Sequence, residues 1–171
     1  MFRLLFDKEI YTEVVQKKIP EARRFLWIGT ADIKDMYIHK SGSMVPFLEL
    51  LSELIRKKVQ IRLIHAKEPG PAFRDDFDKY PLLFSGLERV LCPRVHFKTV
   101  IIDGKIAYSG SANLTGAGMG AKNEANRNFE TGFLTDDIAL VEPLMNQFDQ
   151  LWAGIPCKKC GRKEFCKDRP V

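Results

Sequence analysis

Nowhere does this chain string together the roughly 18 to 20 apolar residues that a bilayer-spanning helix needs, which excludes a helical membrane span within these residues. The opening MFRLLFDKEIYTE sets about five apolar-rich residues ahead of Asp7 and Glu9, too short a run for the core of a secretory signal. Both absences make the cytoplasm the expected compartment, where structural disulfides are rare. The same residues also suit a segment excised from a longer, anchored protein. No basic amphipathic helix of the kind that lies on a membrane surface is visible. The lack of internal repeats and low-complexity tracts argues against a solenoid or a disordered linker. Histidine is scarce, with only His39, His65 and His96, so imidazole chemistry has few candidates.

What is present is an ordinary globular composition, 45% hydrophobic and 29% charged over 171 residues, enough for one domain with a substantial core. A formal charge of +5 and a pI near 9.0 favour polyanionic partners such as nucleic acid or an acidic membrane surface. The patterning predicts a helix over FDKEIYTEVVQKKIPEA, interrupted near Pro20, then a strand over RFLWIGTADI. A second helix is expected over SMVPFLELLSELIRKK, with Ser41 or Ser43 as its N-cap, followed by a strand over VQIRLIHA. KEPGPAF reads as a loop and LERVLC as a strand, while GAGMGAKNEANR reads as a mobile, glycine-rich segment. RNFETGFLT has strand character, and DDIALVEPLMNQFDQLW a closing helix with acidic residues in its first turn. Strands alternating with helices imply an α/β domain, its mixed, largely parallel central sheet flanked by helices on both faces. That domain is expected over residues 1–152, followed by a cysteine-rich basic tail over 153–171.

Residues 95–113, VHFKTVIIDGKIAYSGSAN, read as an apolar β-hairpin turning at Asp103-Gly104. Side chains alternate along a strand, so His96 and Lys98 emerge on one face, two residues apart. Burying an imidazole and an ammonium without partners is costly, so their pairing in such a hairpin asks for a reason. His96, Lys98 and Asp103 fit H-x-K-x4-D, and Gly110-Ser111-x-Asn113 follows at once. Three fixed residues alone would arise by chance in roughly one chain in a hundred of this length; the continuation and the strand-turn-strand context make coincidence much rarer.

With these residues the chain resembles the phospholipase D superfamily, whose signature is this HKD motif. The resemblance runs over about residues 22 to 152, and Asn128 and Glu130 match the downstream N-x-E element. It implies a histidine that attacks a phosphodiester phosphorus, a covalent phosphohistidine resolved by water, and a second histidine that protonates the leaving oxygen. On this resemblance His96 is the nucleophile, and Lys98 and Asn113 hold the non-bridging phosphate oxygens. Ser111 adds a donor, and Gly110 lets backbone approach the phosphate. Glu130 orients the imidazole through its other nitrogen. Asp103, on the opposite strand face from His96, has a supporting role, and no catalytic metal is required.

Only one complete motif exists. His65-Ala66-Lys67 repeats the H-x-K, but Ala72 stands where the aspartate belongs, and Glu68-Pro69-Gly70-Pro71 breaks the strand. His39 sits in a polar loop. Single-motif members of the superfamily place two motifs in one site by forming a two-fold dimer, and they are typically nucleases, whereas lipid-cleaving members usually carry two motifs in a longer chain. The resemblance therefore implies a homodimeric, metal-independent nuclease. A phospholipase or cardiolipin-type hydrolase is the alternative enzyme, and a module that holds nucleic acid without cutting it is the alternative outside enzymology. The segment between Asn113 and Glu130 is unusually long and glycine-rich, which suggests a loop that contacts substrate.

IPCKKCGRKEFCKD spaces Cys157, Cys160 and Cys166 as C-x2-C-x5-C, and Cys92 stands just ahead of the motif strand. C-x2-C is a common metal knuckle because its tight turn lets both sulfurs reach one ion. A four-cysteine site is expected, for a structural zinc ahead of an iron–sulfur cluster; free thiols and disulfides are the alternatives. The neighbouring Lys158, Lys159, Arg162, Lys163 and Lys167 suit a phosphate backbone or a solvated tail equally.

Overall fold

A computed structural model describes residues 1–34 and 36–168. Its centre is a seven-stranded sheet in the order β1-β9-β8-β7-β2-β5-β6. The strands are β1 (Phe2–Phe6), β2 (Phe25–Thr30), β5 (Gln60–His65), β6 (Leu87–Leu91), β7 (Lys98–Ile102), β8 (Ile106–Gly110) and β9 (Thr131–Thr135). A separate hairpin pairs β3 (Tyr37–Lys40) with β4 (Ser43–Pro46). The mixed sheet is as expected, but its parallel share is smaller than the alternation suggested. Only β2–β5 and β5–β6 run parallel, and the other four pairings are antiparallel. The βαβ rhythm holds only for the middle of the chain, where helices link β2, β5 and β6; β7, β8 and β9 follow one another with no intervening helix and meander back.

Alternation along each strand divides the core. Leu26 and Ile28 of β2 face a layer formed by the opening helix and by α2 (Phe47–Arg56), α3 (Pro71–Asp78) and α4 (Leu82–Gly86). Trp27 faces the other way, toward α5 (Ile138–Trp152), where it stacks on Phe148 at 5.1 Å between ring centroids. Helices thus cover both faces. The opening helix begins as α1 (Lys8–Ile10), widens to a π-helix over Tyr11–Lys18 and tightens to a 3₁₀ turn over Ile19–Glu21, where Pro20 lies. The Asp137 side chain caps α5 by accepting from the Ala139 amide at 3.0 Å.

Several local expectations are revised. Ser41 and Ser43 do not cap α2, which starts at Phe47 with Pro46 as N-cap. Ser41 and Gly42 instead take φ of 50° and 80° to turn the β3–β4 hairpin, a backbone state that hairpin turns demand. Phe2–Phe6 is an edge strand with only Leu5 buried, too short and one-sided to announce itself. Pro71, expected in a loop, opens α3. The glycine-rich segment is only partly loose. Gly116, Gly118, Met119 and Gly120 are buried, Met119 within the main core, and residues 122–126 carry the exposure.

Asp103 ties the motif hairpin to the sheet. With φ of 56° ahead of Gly104 at 69°, it turns the chain from β7 to β8. Its carboxylate accepts from the backbone amides of Arg23, Arg24 and Phe25 at 2.9, 2.7 and 2.9 Å, binding the turn to the start of β2. Burial pulls the Asp103 pKa upward, but the amides of Phe25, Arg24 and Arg23 outweigh it and leave the group below the usual value. A depressed folded-state pKa means that this stabilisation is present above the unfolded value near ~3.9 and is lost as pH falls through the folded one. Asp103→Ala is therefore expected to cost about 2 kcal/mol at pH 7, measured by urea unfolding, with the gap to wild type closing near pH 3. An equal gap at both pH values would show that the charge is not what stabilises the turn.

Candidate active site

The motif residues meet at one end of the sheet because strand register brings them there. Gly29 of β2 pairs with Thr99, Lys98 with Gly110, and Gly110 with Gly132. One row of the sheet therefore holds the carboxyl end of β2, the start of β7, the end of β8 and the start of β9. Ligands of open α/β sheets commonly bind at the carboxyl ends of the parallel strands.

His96 precedes β7 instead of lying within it and is exposed. Phe97, between the two basic residues, tucks its ring against Gly29, where a Cβ would come within 2.1 Å of it. That anchor turns His96 and Lys98 to the other side. Lys98 is buried, with 8% of its surface exposed, and its Nζ donates to the His96 carbonyl oxygen at 2.6 Å and to His96 Nδ1 at 3.1 Å. Burial pushes the Lys98 pKa down, and the Glu130 charge works in the opposite sense.

Asn113 follows β8. Its Oδ1 accepts from the Asp32 amide at 3.0 Å, which leaves the side-chain NH₂ as a donor. Thr30, fully buried at the end of β2, accepts from the Leu114 amide at 2.9 Å and donates to the Asp32 carbonyl at 2.7 Å. Glu130 carries a carboxylate bonded to the Ser111 hydroxyl and to Asn128 Nδ2, the latter at 3.0 Å. Ser111 Oγ also accepts from the Thr131 amide at 3.1 Å. Asp7 holds Glu130 in place: its Oδ1 accepts from the Glu130 amide at 2.8 Å, and its own amide donates to the Glu130 carbonyl at 3.0 Å.

The structure thus brings His96, Lys98, Ser111, Asn113 and Glu130 to one sheet end, while Asp103 lies at the opposite end of the hairpin. The expected contact between Glu130 and the imidazole is not made. The Nδ1 of His96 faces Lys98, and Glu130 engages Ser111 and Asn128. Gly110 is glycine for packing: a Cβ there would come within 2.6 Å of the Gly132 Cα, the Thr131 carbonyl and the Tyr108 hydroxyl. Thr30, Asp32 and Asp7 escaped the sequence analysis, because each is joined to the motif across a long stretch of chain with no local pattern to betray it. Phe129, beside Glu130, is 96% exposed.

Of the other histidines, His65 is buried at the end of β5 and donates from Nδ1 to the Lys67 carbonyl at 2.7 Å. Burial pushes its pKa down. His39 lies on the β3–β4 hairpin. The four cysteines, all unpaired thiols, gather elsewhere. Cys92, Cys157 and Cys160 line one cavity of about 630 Å³ between the His96 segment, α5 and the tail. Among the described residues no group of three His, Cys, Asp or Glu side chains stands in ligating geometry. No helix among them is long and apolar enough to cross a membrane.

An H-x-K motif at the end of a mixed sheet, with an asparagine and a glutamate drawn in from the neighbouring strands, is a phospholipase D-type arrangement. The chain belongs to that superfamily: the family model described as cardiolipin synthase, PLD-like domain, matches residues 15–152. A mitochondrial cardiolipin hydrolase of Chlamydomonas reinhardtii is 28% identical over 105 residues, which cover 61% of this chain and 44% of that protein. The chain thus matches less than half the length of that relative. Among solved structures, NucT from Helicobacter pylori is similar with a TM-score of 0.63 at 16% identity, covering 90% of this chain and 97% of that one. Nuc from Salmonella typhimurium, a phospholipase D family member, matches with a TM-score of 0.63 at 14% identity, covering 90% and 94%.

Proposed function

We infer that this chain is a metal-independent phosphodiesterase that cuts nucleic acid in a site completed by a second copy of itself. The observation that carries this reading is the exposed His96 imidazole with the Lys98 ammonium 3.1 Å away. His96 Nε2 attacks phosphorus, the P–O bond to the leaving group breaks, and a second histidine gives that oxygen its proton. Water then attacks the phosphohistidine, cleaving the P–N bond and returning the imidazole. Lys98 and the Asn113 amide hold the non-bridging oxygens, where negative charge builds up. For Nε2 to attack, Nδ1 must carry the proton and needs an acceptor. In this reading Glu130, whose charge acts on the Lys98 ammonium, takes that role once a phosphate draws Lys98 away from Nδ1.

The second histidine is the reason for a dimer. His65 is buried with its Nδ1–H engaged by the Lys67 carbonyl, and His39 sits on a separate hairpin. A two-fold axis supplies a second His96. The β1 edge supports such an interface: Phe2, Leu4 and Phe6 are exposed side by side, Phe2 stacks on Phe133 at 5.3 Å, and Phe6 pairs with Thr131 next to Glu130. Nucleic acid is favoured by the net charge of +5 and by Lys8, Lys122 and Arg127 around a cavity flanked by the loop that leads to Phe129. The name of the Chlamydomonas relative favours a lipid phosphodiester as the second reading.

Labelled DNA and RNA are expected to be cut while phosphatidylcholine and cardiolipin vesicles are not; turnover of cardiolipin alone would establish the lipid reading, and tight binding without cleavage would make this a binding module. Co-expressing wild type and His96→Ala chains at equal levels tests the shared site. About a quarter of the dimers should remain active if two histidines share one site, against about half the chains if each site is independent.

A further inference from the structure

The tail lacks the apolar anchors that would fix a segment of its size. Its two 3₁₀ turns, Ile155–Lys159 and Lys163–Phe165, contain no buried residue, and Ile155 and Phe165 are 63% and 56% exposed. A segment that cannot bury apolar surface needs another staple to stay folded back on its domain. Yet the tail does return to the end of β6. Asp168 accepts from the Leu91 amide at 2.7 Å, and Cys166 Sγ donates to the Leu91 carbonyl at 3.6 Å.

That return brings Cys166 toward the other three thiols, although in this structure they do not yet stand in ligating geometry. Cys166 is placed beside Leu91, the residue before Cys92. Cys157 and Cys160 close a turn through the Cys160 amide and the Cys157 carbonyl at 3.2 Å, and both share the 630 Å³ cavity with Cys92. The Arg162 amide donates to Cys160 Sγ at 3.4 Å, a bond that suits a thiolate better than a thiol. Arg94 also lines this cavity, and Lys163 reaches back to the Lys158 carbonyl at 3.1 Å.

We propose that Cys92, Cys157, Cys160 and Cys166 bind one structural zinc ion, which clamps the tail to the segment that carries His96. Four thiolates around Zn²⁺ carry a net charge of −2, and Arg94 and the tail's lysines and arginine supply the matching cations. Binding releases the thiol protons, and the sulfurs close in to the ~2.3 Å that zinc requires. Ordered in this way, they fix the Cys92 end of the turn that leads to His96, whose Val95 and Phe97 line the same cavity. The inference does not depend on which phosphodiester the enzyme cuts.

The test is metal and thiol analysis of the full chain purified under reducing conditions. About one zinc per chain is expected, with thiols that react with a disulfide reagent only after denaturation. Cys160→Ser should lose the metal, drop Tm by about 5–10 °C and open the tail to limited proteolysis. Should that variant fail to fold, the wild-type metal count and thiol reactivity decide alone. A metal-free protein with four reactive thiols and a protected tail, or disulfides between these cysteines, would overturn the site. Iron with acid-labile sulfide would overturn the assignment to zinc.

Discussion

Replacing His96 with alanine is expected to reduce phosphodiesterase activity at least about 10⁴-fold, because it removes the group that bonds to phosphorus and, in a two-fold dimer, the proton donor as well. The fold should survive, since His96 is exposed and among the described residues its side chain bonds only the Lys98 ammonium. The same assay separates the chemistry from that of two-metal nucleases, which stop when their divalent ions are chelated. Saturating EDTA should leave wild-type turnover largely intact. Strict dependence on added magnesium, or full activity in His96→Ala, would sink the mechanism.

Lys98→Met is expected to lower kcat/KM by about 10²–10³-fold, the usual loss when one preorganised donor to a charged transition state is removed. Methionine keeps most of the side-chain volume, so Tm should change little, and the effect should appear on chemistry. The burial that makes Lys98 effective also exposes it to pH. Its depressed pKa means that the ammonium is lost at a lower pH than an exposed lysine would lose it, so activity should decline early on the alkaline side, and Lys98→Met should flatten that limb. A variant with an unchanged alkaline limb would show that some other group titrates there.

How much of this was legible in the sequence follows the range of each interaction. The hairpin from β7 to β8, the helices α2 and α5, and the strands β2 and β5 declare themselves through side-chain periodicity over a few residues. The side-by-side placement of His96 and Lys98 was expected from the two-residue period, although His96 stands just ahead of β7 and the Phe97 ring against Gly29 is what turns both to one side. The turn at Asp103-Gly104 was equally readable, because few residues accept positive φ.

Register across the sheet was not readable. Asn113 depends on Thr30 and Asp32, which lie 83 and 81 residues away, and Glu130 depends on Asp7 at a separation of 123. No local pattern encodes such pairs; they exist only once the strands have lined up in one row. The same holds for the antiparallel majority of the sheet and for Gly110, whose missing side chain makes room for Tyr108 and Gly132. The candidate site residues and their neighbours along the chain were therefore legible in the sequence itself. Which groups hold them in place was decided only by tertiary pairing, because backbone hydrogen bonding between distant strands depends on a register that no single segment carries.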